Sequence, residues 1–135
     1  EVDIHNQIVK DIDLIAINAV KANKDLIALE LYGDTEPFYT YFSIFSSTKK
    51  NLLHTMDHGT FTPRQSVIHD KFYENYAEPL EDFENIGIAI SAYLNEETLD
   101  KDQMTNFKTK FQESLNKLIE IHNSYIETLN IKRRY

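Results

Sequence analysis

The sequence predicts an all-α protein: an antiparallel up-down-up-down four-helix bundle with a proline kink in the third helix, formed by residues 1–135 as a single domain. Three observations predict it. The chain has only three Gly and three Pro in 135 residues, whereas sheet folds spend both on frequent turns. Apolar residues recur at alternating spacings of three and four through four long stretches. Turn and capping signals fall between those stretches and not within them.

The first stretch runs from about Asp3 to Tyr32. Ile4, Ile8, Ile12, Ile15, Ala19, Ala22, Leu26 and Leu29 share one helical face. Ile17, Val20, Ile27 and Leu31 widen that stripe, so the helix is expected to contact more than one neighbour. Gly33 suits a C-terminal cap.

The second stretch begins near Thr35, with Pro37 tolerated in the first turn. Phe38, Tyr41, Phe42, Phe45, Leu52 and Met56 form its inward face. The segment PFYTYFSIF is rich in β-formers, but its spacing continues into KKNLLHTM and makes it helical. Gly59 ends the segment.

Thr62-Pro63-Arg64-Gln65 opens the third stretch. Thr62 can accept from the Gln65 amide while the Gln65 side chain reaches back, a capping box with proline at the first helical position. Ile68, Phe72, Tyr76, Leu80, Phe83, Ile86, Ile90 and Leu94 face inward. Pro79 removes one backbone donor and is expected to kink the helix without ending it, because the periodicity passes through it. Gly87 is a second soft point.

The fourth stretch starts at Leu99-Asp100-Lys101-Asp102-Gln103-Met104. Asp100 can cap, Gln103 can reciprocate, and Leu99 can staple onto Met104. Met104, Phe107, Phe111, Leu115, Leu118, His122, Tyr125 and Leu129 carry the rhythm onward. Each helix would be roughly 45 Å long at 1.5 Å per residue. Short connections make neighbours in sequence antiparallel.

Composition narrows the function classes. A net charge of −8 supplies no general basic field to displace counterions, which argues against nucleic acid as partner. Lys132, Arg133 and Arg134 read as a solvated end. With no Cys, zinc–thiolate sites, iron–sulfur clusters and thiol catalysis are excluded. No apolar run reaches the length of a membrane span. Gly-rich phosphate loops, nucleophile elbows, His-Glu-x-x-His and the Glu-x-x-His of di-iron bundles are missing. The expectation is a protein without enzymatic activity or cofactor.

The stretch NLLHTMDHGTFTPRQSVIHD holds three of the five histidines. His54 and His58 stand one helical turn apart, as two metal ligands could. Counting about 100° per residue from Leu52, Met56 falls near 40°, His54 near 200° and His58 near 240°. The histidines therefore point away from the core seam. Only an exposed edge site is open to them, with His69 and Asp70 approaching from the next helix. Imidazoles favouring the negative end of a helix, followed by a capped helix start, are the expected reading of the pair. His122 lies on the apolar face of the last helix. Beside a carboxylate it would be a base or ligand candidate; a core histidine bonded to a backbone carbonyl or a tyrosine is the expectation.

Two groups are candidate partner-binding residues. Glu74, Glu78, Glu81, Asp82 and Glu84 flank Pro79, where clustered charge at a kink offers a distinctive surface. Tyr39 and Tyr73 fall off the main aromatic seam and could be exposed anchors. The other aromatics are expected in the core, with Phe38 to Phe45 opposite Phe83 to Leu94.

The Lys-, Asn-, Ile- and Tyr-rich texture, the lack of Cys and the start at Glu1-Val2-Asp3-Ile4 without Met resemble the ectodomains of small Gram-positive lipoproteins. Among these the chain is similar to the auxiliary lipoproteins of staphylococcal sensor-kinase systems. The resemblance implies an extracytoplasmic protein, tethered to the membrane through an N-terminal anchor upstream of this sequence, that modulates a membrane sensor kinase through protein contacts. It carries over no site residues. The alternative is a bundle that carries a ligand, or a metal at His54 and His58. An exposed apolar strip would favour the interaction module.

Overall fold

The structure, a computed structural model, describes residues 2–32, 35–95 and 100–133, with side chains for all of these except 2, 3, 5, 29–32 and 129–133. Four helices make it up: α1 (Val2–Tyr32), α2 (Glu36–His58), α3 (Pro63–Leu94) and α4 (Lys101–Arg133). No strand occurs among the described residues. The β-rich segment of α2 is helical because Phe38, Phe42, Phe45 and Leu52 form a buried stripe at helical spacing, which outweighs local propensity.

Contacts across each interface pair rising with falling residue numbers. Lys21 meets Tyr41 and Ile4 lies beside Gly59. Tyr39 meets Ser91 and Phe45 meets Phe83. Tyr93 packs on Phe107 and Phe72 on Tyr125. Asn23 bonds Gln112 and Asp13 bonds His122. In each of these pairs the two helices run in opposite directions.

All four helices feed one apolar cluster. On α1, Ile8, Ile12, Ile15, Ala19, Ala22 and Leu26 have no exposed surface. Each large side chain buried this way contributes about 1.5–3 kcal/mol. At the centre, Phe38, Phe42, Phe45, Phe83 and Phe111 form a closed circuit of ring contacts, with centroids 4.2–6.0 Å apart. Among helices that neighbour each other in the bundle, the backbones of α1 and α2 approach most closely and those of α2 and α3 least closely. The rings of Phe42, Phe45 and Phe83 occupy the wider gap.

The helix ends show which local signals the fold uses. Thr62 Oγ1 accepts from the Gln65 amide at 3.2 Å and Gln65 Oε1 accepts from the Thr62 amide at 3.0 Å, so the capping box forms. Gly59 ends α2 in extended backbone, φ −71°, not in a left-handed cap. Glycine is required there because a Cβ would press on the Thr55 carbonyl oxygen and on Ile4. At the start of α4, Asp100 caps through Oδ1 to the Asp102 amide at 2.9 Å. Tyr93, absent from the expected inward face of α3, is buried and donates its hydroxyl to the Asp100 carbonyl at 3.0 Å. The proposed Gly33 cap and Leu99 staple lie outside the described residues.

Helix α3 passes through Pro79 without ending there, as its periodicity predicts. Gly87 also has a packing role: it is buried, and a Cβ there would overlap the Phe42 ring. It is the slot into which Phe42 packs.

One expectation fails on α1. Ile17, Val20 and Ile27 were placed in a widened inward stripe, yet they are 48%, 44% and 52% exposed. Only α2 and α4 pack extensively against α1, so the arc beyond them is bare. The side chain of Leu31 is outside the described set.

Candidate functional site

The sequence-derived candidates separate into placed and displaced groups. His54 and His58 are exposed near the end of α2, with ring centroids 4.5 Å apart. His69 does not join them. It is 1% exposed, lies against Phe61 and shares a 2.7 Å hydrogen bond between Nδ1 and the Tyr125 hydroxyl. The edge site expected from His54, His58, His69 and Asp70 therefore loses its third imidazole to the core. Among the described residues no group of three or more His, Cys, Asp or Glu side chains gathers as a metal site.

The two histidines of α3 and α4 both depart from their expected roles. His122 was expected to bond a tyrosine or a carbonyl; its Nε2 instead lies 2.7 Å from Asp13 Oδ1. The Asp13 side chain is 47% exposed and that of His122 17%, so this is a half-open pair beside α1. The tyrosine-bonded core histidine is His69. The hydroxyl of Tyr125 is pushed well above the usual tyrosine range by burial, so it stays protonated.

Tyr39, expected as an exposed anchor, is half-buried against the core. Its hydroxyl lies 3.3 Å from the Ser91 carbonyl oxygen and 3.4 Å from Asn95 Oδ1, so it ties α2 to the end of α3. Tyr73 is half-buried, and Glu74, Glu78, Glu81 and Asp82 are exposed. The acidic group is not wholly free. Lys49 Nζ lies 2.7 Å from Glu81 Oε2 and 2.6 Å from Glu84 Oε1. Burial works against the Lys49 charge, but the two carboxylates outweigh it and hold its pKa above the usual lysine value. Lys49 occupies the seam position between Phe45 and Leu52, where the three-four rhythm calls for an apolar residue.

A second polar line runs along α1. Asp11, Asn18 and Asp25 repeat every seven residues. Asp11 and Asn18 are buried, at 2% and 6% exposure. Asp11 Oδ1 accepts from Gln7 at 2.9 Å. The Oδ2 atoms of Asp11 and Asp25 are buried without a hydrogen-bond partner. Burial raises the Asp11 pKa, offset in part by Gln7 and Lys10.

The surface that stands out is the outer arc of α1. Leu14, Ile17, Val20 and Ile27 are 36–52% exposed. Lys10, Lys21 and Lys24 are exposed on the same helix. At about 100° per residue, Val20, Asp13, Lys24, Ile17, Lys21 and Leu14 fall within an arc of about 120°. Along the α4 edge of this arc lies an open groove of about 480 Å³ between Val20, Lys24, Ile27, Leu115 and Ile119. A larger groove, about 700 Å³, lies between α3 and α4 over Ile68, Phe72, Ile121 and Tyr125, with Lys71 and Glu120 on its walls.

No helix among the described residues is long and apolar enough to cross a membrane. No protein-family description, curated protein or solved structure matches the chain significantly.

Proposed function

We propose that this chain is a non-enzymatic protein-interaction module that works outside the cytoplasm, as the ectodomain of a membrane-tethered lipoprotein that modulates a sensor kinase. The observation that carries the interaction reading is the exposed aliphatic strip of α1, Leu14, Ile17, Val20 and Ile27. Singly exposed apolar residues are ordinary, but Leu14, Ile17 and Val20 follow one another at three-residue spacing, with Ile27 farther along the groove, and such a grouping marks an interaction surface. The extracytoplasmic and sensor-kinase parts rest on the resemblance in sequence texture. Tyr73, Glu74, Glu78 and Asp82 form a second candidate contact patch on α3.

Site-specific photocrosslinking tests the proposal. A photoreactive residue at Ile17 or Val20, in cells that make the protein, is expected to capture the extracytoplasmic part of a membrane kinase. The same residue at Gln103 is not. Capture from both positions alike, or of no membrane protein from either, overturns it.

The α3–α4 groove favours a second reading, in which the bundle carries a small apolar ligand over Phe72 and Tyr125. Native mass spectrometry of protein purified without detergent would reveal a bound mass. For the metal form of this reading, zinc uptake unchanged in the double variant His54→Ala/His58→Ala would remove the His pair from consideration.

A further inference from the structure

We infer that the outer face of α1 receives an acidic amphipathic helix of a partner protein. This rests on the interaction reading above and specifies the chemistry of what binds. Three observations meet there. The strip from Leu14 to Ile27 is aliphatic and exposed, and it spans roughly 20 Å at 1.5 Å per residue. Among the described residues of α1, the charged side chains classed as exposed are all cationic, Lys10, Lys21 and Lys24, in a chain of net charge −8. Of the acids described on the same helix, Asp13 is engaged by His122, Asp11 is buried and Asp25 is half-buried. The surface is also concave on its α4 side, where Val20, Ile27, Leu115 and Ile119 line a groove. The Asn23 and Gln112 side chains within it bond each other at 2.7 Å.

A groove beside an apolar ridge, rimmed by lysines, fits a helix that presents apolar residues three and four apart with acidic residues on either side. Opposite charge would orient that helix and speed its arrival. Other occupants fit less well. Membrane-surface helices mix Trp or Phe into their apolar face, while this strip holds only Leu, Ile and Val. The rest of the molecule would also repel anionic lipid. A second copy using the same strip would set lysines against lysines. The acidic ridge of α3 has the right charge, but its exposed apolar residues, Val67 and Ile88, lie outside the Glu74–Asp82 segment and supply no matching ridge.

The test uses a synthetic helical peptide of about five turns, with leucine at three-four spacing and glutamate elsewhere, and a twin carrying lysine in place of glutamate. Methyl chemical shifts of the protein are followed during titration. The acidic peptide is expected to move Leu14, Ile17, Val20 and Ile27, to bind at least about tenfold tighter than its basic twin, as about three exposed ion pairs would provide, and to weaken with added salt. Lys10→Gln/Lys21→Gln/Lys24→Gln is expected to erase the preference, and the corresponding Glu variant to reverse it, with unchanged helical circular dichroism in both. No shift at the strip, or equal shifts with both peptides, overturns the inference. So does perturbation of the same methyls by phosphatidylglycerol vesicles but not by the peptide, or burial of the strip in a dimer seen by ultracentrifugation. If the peptide fails while crosslinking from Ile17 still captures the kinase, only the partner's chemistry falls. If both fail, the interaction reading falls with it.

Discussion

A methyl group at position 87 would overlap the ring of Phe42, and that ring belongs to the phenylalanine circuit at the centre of the bundle. Two effects of Gly87→Ala oppose each other. Helix propensity favours alanine by about 1 kcal/mol, while forcing a buried aromatic from its place costs about 1–3 kcal/mol. The overlap is with a ring that is only 8% exposed and has little room to give, so overpacking wins. Urea unfolding is expected to show a lower midpoint for Gly87→Ala. Asp11 has the opposite character, since its cost is already present in the native protein. Burial raises its carboxyl above the ordinary value of 3.8. A group that holds its proton more tightly when folded contributes most to stability below about pH 3.8 and loses that contribution as pH rises through its folded pKa. Asp11→Asn is therefore expected to stabilise the protein by about 1 kcal/mol at pH 7 and to change little at pH 3. Thermal melts of both proteins at the two pH values check this. Single residues were also where the sequence was hardest to read. Lys49 lies on the inward rhythm of α2, but lysine is a residue type that is usually solvated. What makes it tolerable inside is Glu84 and Glu81, thirty or more positions away, which no local pattern displays.

At the scale of the helix, local chemistry was legible because its partners are close in sequence. The Thr62–Gln65 box needs only three residues of separation, and it forms with both bonds in place. Thr62→Ala is expected to cost about 1 kcal/mol, read as a lower melting temperature, with hydrogen exchange rising first at the start of α3. The inward stripes were legible for the same reason: periodicity fixes which residues share a face. It does not say whether a neighbour covers that face. Ile17, Val20 and Ile27 were assigned inward by residue type, and the absence of an extensively packed helix over their arc leaves them exposed. His69 and His122 show a related limit. His122 was expected on an apolar face and His69 at an exposed edge, but the partners that decide their roles, Asp13 and Tyr125, lie on other helices. The candidate partner surface was thus half readable. Its apolar and lysine residues are plain in the sequence, whereas its exposure depends on how four helices share a core.

For the molecule as a whole, the core and the strip should answer differently to mutation. Phe45 and Phe83 have no exposed surface, and alanine at either is expected to cost about 3–5 kcal/mol. Ile17→Ser and Val20→Ser, in contrast, are expected to stay within about 0.5 kcal/mol of the parent protein, measured by the same urea titration. That contrast separates residues that hold the bundle from residues that it displays.

The strip also bears on how the protein behaves in bulk solution. Like-charge repulsion is what keeps molecules with bare aliphatic surface apart. At neutral pH a charge of −8 provides it, but the charge vanishes near the isoelectric point, about pH 5.0. Colloidal stability should then collapse at mildly acid pH while the helices remain intact. Turbidity is expected to peak near pH 5, with Ile17→Ser/Val20→Ser lowering the peak without moving it.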